Sequence, residues 1–200
     1  MDEKQINSDL LNTDSQHLRA VLAAYVPRSD EEASDLARMR ALADAPNGDP
    51  WTRASPLHMT ASAVVVHPPS RRVLLRWHDR MGSWLQVGGH GDPGEDVPYA
   101  IALREAAEET GLPDLTAWPD PAQPLLLQIA VVPVPAGKGE PAHEHADLRY
   151  VLSTARPDEI RPESPGALLR WLDLAEATSA VAEDNLRVCL LRLGELLGRP

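Results

Sequence analysis

The sequence predicts an α/β or α+β sandwich in one main domain, entered through a pair of helices. Three observations carry this. From His58 onward, short runs rich in Val, Leu and Ile are separated by turn residues, the texture of strands. Helical patterns stand before, between and after those runs. The 200 residues suffice for one domain with a substantial core, whereas two would be tight.

Residues 14–26, DSQHLRAVLAAYV, read as a helix with Asp14 as its cap and Pro27 beyond its end. A second helix is SDEEASDLARMRALADA, where Ser29 and Glu32 have the capping-box spacing. PNGDPWTRASP, residues 46–56, is dense in Pro, Gly, Asn and Asp and reads as a linker. Then come HMTASAVVVH, a PPSR turn, RVLLRWH and SWLQV as strands, and the loop GGHGDPGED leading into a helix that contains REAAEETGL. PLLLQIAVVPV and HADLRYVL read as further strands, and ALLRWLDL starts as one. AEDNLRVCLLRLGELLG is amphipathic and stopped by Gly198, hence a terminal helix that offers either a homodimer surface or simple packing. The expected boundary separates an extension and linker, residues 1–55, from the main domain, 56–200.

Composition narrows the function classes. Apolar residues make up 43% and charged residues 24%, the balance of a folded soluble chain. No apolar run approaches a membrane span, and the N-terminus lacks the basic start and apolar core of a signal peptide, so a cytoplasmic location is expected. The net charge of −11 argues against long nucleic acid as a partner, but a small phosphorylated ligand needs only a local cation site. The single cysteine, Cys189, lies in an apolar segment and reads as a buried inert thiol.

REAAEETGL places Glu105, Glu108 and Glu109 in the last turns of a helix stopped by Gly111. Aligned peptide dipoles make that end partly negative, and Glu105 with Glu109 is a like-charge i,i+4 pair. The spacing brings the three carboxylates to one side, a volume suited to a hard divalent cation that would offset their repulsion.

Around this helix stand Gly88, Gly89, Glu95 and Arg104 before it and Gly111 and Leu112 after it, an ordered set that resembles the Nudix box. Two positions depart from the pattern: Ala106 is smaller than the usual apolar residue, and eight residues, DVPYAIAL, separate Glu95 from Arg104 where seven are common. With HMTASAVVV, WLQVGGH, HEHADLRYVL, LLRWLDL and the helical lead-in, the chain is similar to a Nudix hydrolase branch whose box begins Gly-Gly-His.

The resemblance implies a Nudix-type α/β/α sandwich around a mixed sheet, and hydrolysis of a diphosphate linkage with magnesium, or manganese in its place. It implies a small phosphorylated substrate, a nucleoside diphosphate linked to another group. Glu105 and Glu109 would be the main metal ligands, with Glu108 a third ligand or the base and the Gly88 carbonyl completing the shell. Arg104 would hold the catalytic glutamates by ion pairing, and Glu95 would pair with Arg104. A glutamate outside the box often joins such sites, which makes Glu144 a candidate.

HEH at 143–145 alternates along a strand, so His143 and His145 share one face and Glu144 takes the other. These three and His90 are candidate substrate contacts. Arg71, Arg72, Arg76, Arg80 and His78 are expected to be hairpin groups facing solvent. Two rivals stand against the hydrolase. An isomerase on related architecture needs a catalytic cysteine, for which only Cys189 in the tail is available. A ligand-sensing module without catalysis would have no need of all three glutamates.

Overall fold

The computed structural model describes residues 16–46, 48–137 and 139–198. The expected Asp14 cap lies outside them. Helices α1 (Gln16–Ala24) and α2 (Asp30–Ala43) lead into strand β1 (Leu57–His67). Strands β2 (Arg72–His78), β3 (Ser83–Leu85) and β4 (Val87–Gly89) follow, then helix α3 (Pro98–Thr110). The chain continues through β5 (Thr116–Ala117), β6 (Leu126–Val134), β7 (His143–Ser153) and β8 (Leu169–Asp173) to helices α4 (Leu174–Ala180) and α5 (Asp184–Leu197).

All eight strands form one mixed sheet. β1 pairs parallel with β7 along its length, β2 and β4 pair antiparallel with its other edge, β3 and β8 extend β2, and β5 and β6 pair with β7. Helices cover both faces, giving an α/β/α sandwich. On one face Met59 and Ala61 of β1 and Ala146, Leu148 and Tyr150 of β7 pack under α1, α2 and α3. On the other, Val64, Val66 and Val151 pack against Leu186, Cys189, Leu190 and Leu193 of α5. Burial pushes the Cys189 thiol up to about 11, which keeps it protonated.

Both N-terminal helices are built into the core. Leu18, Leu22, Leu36 and Met39 are buried beside Met59, Ile101 and Leu148. Leu22→Ala is therefore expected to cost about 2–5 kcal/mol, measurable by urea unfolding, where an isolated appendage would show almost none. At the start of α2 the Ser29 hydroxyl accepts the Glu32 N–H, as the capping spacing predicts. The Glu32 carboxylate instead accepts the N–H of Arg28 and pairs with Arg192 of α5.

Three boundaries differ from expectation. SWLQV is two strands, broken at Gln86, whose side chain turns to Ser62 and Asp147. The 46–56 segment is packed as well as connecting, since Trp51 is buried and Pro50 accepts the Met59 N–H. Gly198 ends α5 with a right-handed backbone, so no left-handed cap is needed there. α5 packs its inner face and leaves Val188 and Leu191 exposed. Among the described residues no helix is long and apolar enough to cross a membrane.

Candidate active site

α3 starts at Pro98, whose fixed φ suits the first turn, and stops at Gly111, left-handed at φ 64°. Only Asp96 and Val97 separate Glu95 from the helix, and Glu95 closes the turn before them by accepting the Asp92 N–H. Ala106 is fully buried against Ala63, Val65 and Val87, a close seat that brings the glutamates after it to the sheet.

Gly88 and Gly89 in β4 make that approach possible. Gly88 has φ 147°, and a Cβ there would stand 2.4 Å from Ser62. A Cβ on Gly89 would meet the Glu105 carboxylate at 2.7 Å, so Glu105 occupies the space a side chain would need. The Gly88 N–H donates to Glu109 Oε2 at 3.1 Å.

Two guanidinium groups compensate the acidic helix end. Arg104 donates through Nε and Nη2 to Glu95, at 3.0 and 2.7 Å, and through Nη1 to Glu105 and Glu108, both at 3.1 Å. Its Nη2 also reaches the His90 carbonyl at 2.9 Å. Arg76 Nη1 lies 2.9 Å from Glu109 Oε1 and its Nη2 lies 3.3 Å from Glu163. Hydrogen bonding to Arg104 holds the Glu95 carboxyl below its usual range. Burial pushes Glu109 up to about 7, against the opposing pull of Arg76 and the Gly88 N–H, and raises Glu105 in the same direction.

Glu109, Gly88, Gly89 and Arg76 line a cavity of about 640 Å³. Its floor is the β1–β7 pair. His58, Thr60 and Ser62 of β1 stand in register with His145, Asp147 and Arg149 of β7. Buried Asp147 accepts from Thr60 (3.1 Å), Ser62 (2.8 Å), Gln86 (3.0 Å) and Arg149 Nε (3.0 Å). Arg149 continues to Gln128, and Gln128 to the Asn185 carbonyl at the start of α5.

The candidate residues divide accordingly. Glu105, Glu108, Glu109, Arg104, Glu95 and Gly88 form one cluster, and His90, His143 and His145 enter the adjoining cavity with His58, which the sequence analysis did not single out. Glu144 does not join them. It points to the other side of β7, where Arg38 of α2 holds it at 2.5 and 3.2 Å, so its alternation with the histidines removes it from the site. The solvent-facing expectation fails for Arg76 and Arg80. Arg76 is drawn in by Glu109, and Arg80 by Glu140 and the Pro135 carbonyl. The missed residues carried a signal. Polar side chains at 143, 145, 147 and 149 and at 58, 60 and 62 follow the two-residue repeat of one sheet face.

Comparison with known proteins agrees with this fold. The NUDIX domain family model matches residues 56–191. A NUDIX-family hydrolase from Clostridium perfringens superposes with a TM-score of 0.53 at 26% identity, over 70% of this chain and 97% of that one. A C. elegans Ap4A hydrolase shares the fold, with a TM-score of 0.53 at 19% identity over 70% of this chain and 96% of its own. With the family model spanning most of its length, the chain belongs to the NUDIX family of hydrolases.

Proposed function

We propose that this chain, from a branch whose box opens Gly-Gly-His, hydrolyses a diphosphate linkage in a nucleoside diphosphate joined to another group. The reading is carried by the meeting of Glu105 and Glu109 with Gly88–Gly89 at the edge of a cavity large enough for such a molecule. Glu105, Glu108 and Glu109 with the Gly88 backbone are an all-oxygen donor set, which fits magnesium, or manganese in its place. A cation bound there would neutralise the diphosphate and polarise phosphorus toward water.

The chain's own groups do the rest. Arg104, braced by Glu95, fixes the rotamers of Glu105 and Glu108, and Arg76 fixes Glu109. The Glu108 side chain is 56% exposed, the carboxylate of the three most open to water, and serves as proton acceptor. Arg53 and Arg80 line the cavity and supply positive charge for the remaining phosphate oxygens.

The test is phosphate release from a panel of nucleoside diphosphate compounds, with and without magnesium. At least one should give magnesium-dependent release. No release from any of them, with magnesium or manganese, would favour the ligand-sensing reading.

A further inference from the structure

We infer a second metal site on the cavity floor, in which His58, His143 and His145 hold a transition-metal ion of the zinc, cobalt or nickel class. It does not rest on the hydrolase reading, because its ligands lie outside the box.

Convergence is the first observation. His58 stands opposite His145 on the neighbouring parallel strand, and His143 shares the face of His145 two residues away. One ring nitrogen from each of the three lies within 4.8 Å of the others. The Nε2 atoms of His143 and His145 are 3.2 Å apart, and that of His90 is 3.0 Å from that of His58. A tetrahedral ion with metal–nitrogen bonds near 2.05 Å needs its donors about 3.3 Å apart. His90 is thus the nearest further donor.

Orientation is the second. His58 Nδ1 lies 2.9 Å from the Ser55 carbonyl and His143 Nδ1 lies 2.9 Å from the Pro141 carbonyl. A carbonyl only accepts, so each Nδ1 carries the proton and each Nε2 keeps a bare lone pair, that of His143 beside His145 and that of His58 beside His90. Carbonyl-oriented imidazoles of this kind are the usual support of a metal-binding histidine.

A competing arrangement uses the same atoms as two N–H···N hydrogen bonds, with His145 and His90 each carrying a proton on Nε2. Donor chemistry separates the cases. Imidazole nitrogens select borderline ions, whereas the box carboxylates select hard ones. An ion here would tie β1 to β7 beside His90, whose carbonyl holds Arg104, and so brace the box loop from below.

The experiment is titration of the metal-stripped full chain with Co2+, read by visible absorbance and melting temperature. One saturable equivalent is expected, displaced by Zn2+ but not by excess Mg2+. His143→Ala and His145→Ala should each weaken binding about 10–100-fold or more. Glu105→Gln with Glu109→Gln should leave it within about twofold, so loss of hydrolysis and loss of this site are told apart. Absence of a saturable spectrum, its survival in both histidine variants, or its loss in the glutamate variant would overturn the site. Should the histidine variants misfold, wild-type NMR decides. Co2+ must shift the Nδ1 protons of His58 and His143, and unshifted protons reject the assignment.

Discussion

Glu109→Gln is expected to lower turnover by about a hundredfold or more, about 2.7 kcal/mol of barrier, with the fold intact. It deletes a charge at the cavity edge and no core volume. Retention of more than about a tenth of wild-type rate, little over 1.4 kcal/mol, would remove Glu109 from the catalytic set. The same variant should change pH dependence in a defined direction. Burial raises the folded-state value of this carboxyl to about 7 from an ordinary 4.5. The protonated form is thus the one the fold favours. Its contribution to stability is complete below about pH 4.5 and is lost as pH rises through 7. Metal-free wild type should therefore lose melting temperature across that window, and Glu109→Gln should lose less and melt higher at pH 8. Equal profiles for the two proteins would show that Arg76 already cancels the burial cost.

Glu32→Ala should give the largest loss of stability from one polar substitution. Glu32 of α2 and Arg192 of α5 are both buried, at 4% and 8% exposure, and they pair across the molecule. Removing the acid strands a guanidinium that cannot lose its proton, at a cost of about 3–5 kcal/mol. For a chain this long that is a fall of roughly 6–20 °C in melting temperature. Glu32→Leu with Arg192→Met removes both charges and should restore most of it. A single variant within about 1 kcal/mol of wild type would show that water reaches the pair.

Local pattern made the secondary structure readable. The runs at β1, β2 and β7 and the helix bearing the box were legible because their signals sit within a turn or a strand. The break at Gln86 was not, because its cause is Asp147, sixty-one positions away. The box glutamates and Arg104 were legible as a set of fixed offsets. Arg76 was hidden, since only folding brings β2 to the end of α3. The alternation from His143 through His145 and Asp147 to Arg149 is written within one strand, but its meeting with His58 is not, because register between distant strands is written in neither one. The same alternation that pairs the histidines sends Glu144 to Arg38.

The β1–β7 pair has a consequence for how such a protein can change. Each strand presents packing residues on one side and cavity-facing residues on the other, so Met59, Ala61, Ala146 and Leu148 keep the helices seated whatever stands at 143 or 145. A one-residue slip would exchange the two sets, burying imidazoles under α1 and α2 and turning methionine and leucine into the cavity. The strand pairing is thereby locked, and with it locked the cavity-facing positions form a keyboard on which specificity can be retuned, one side chain at a time, at little cost to folding.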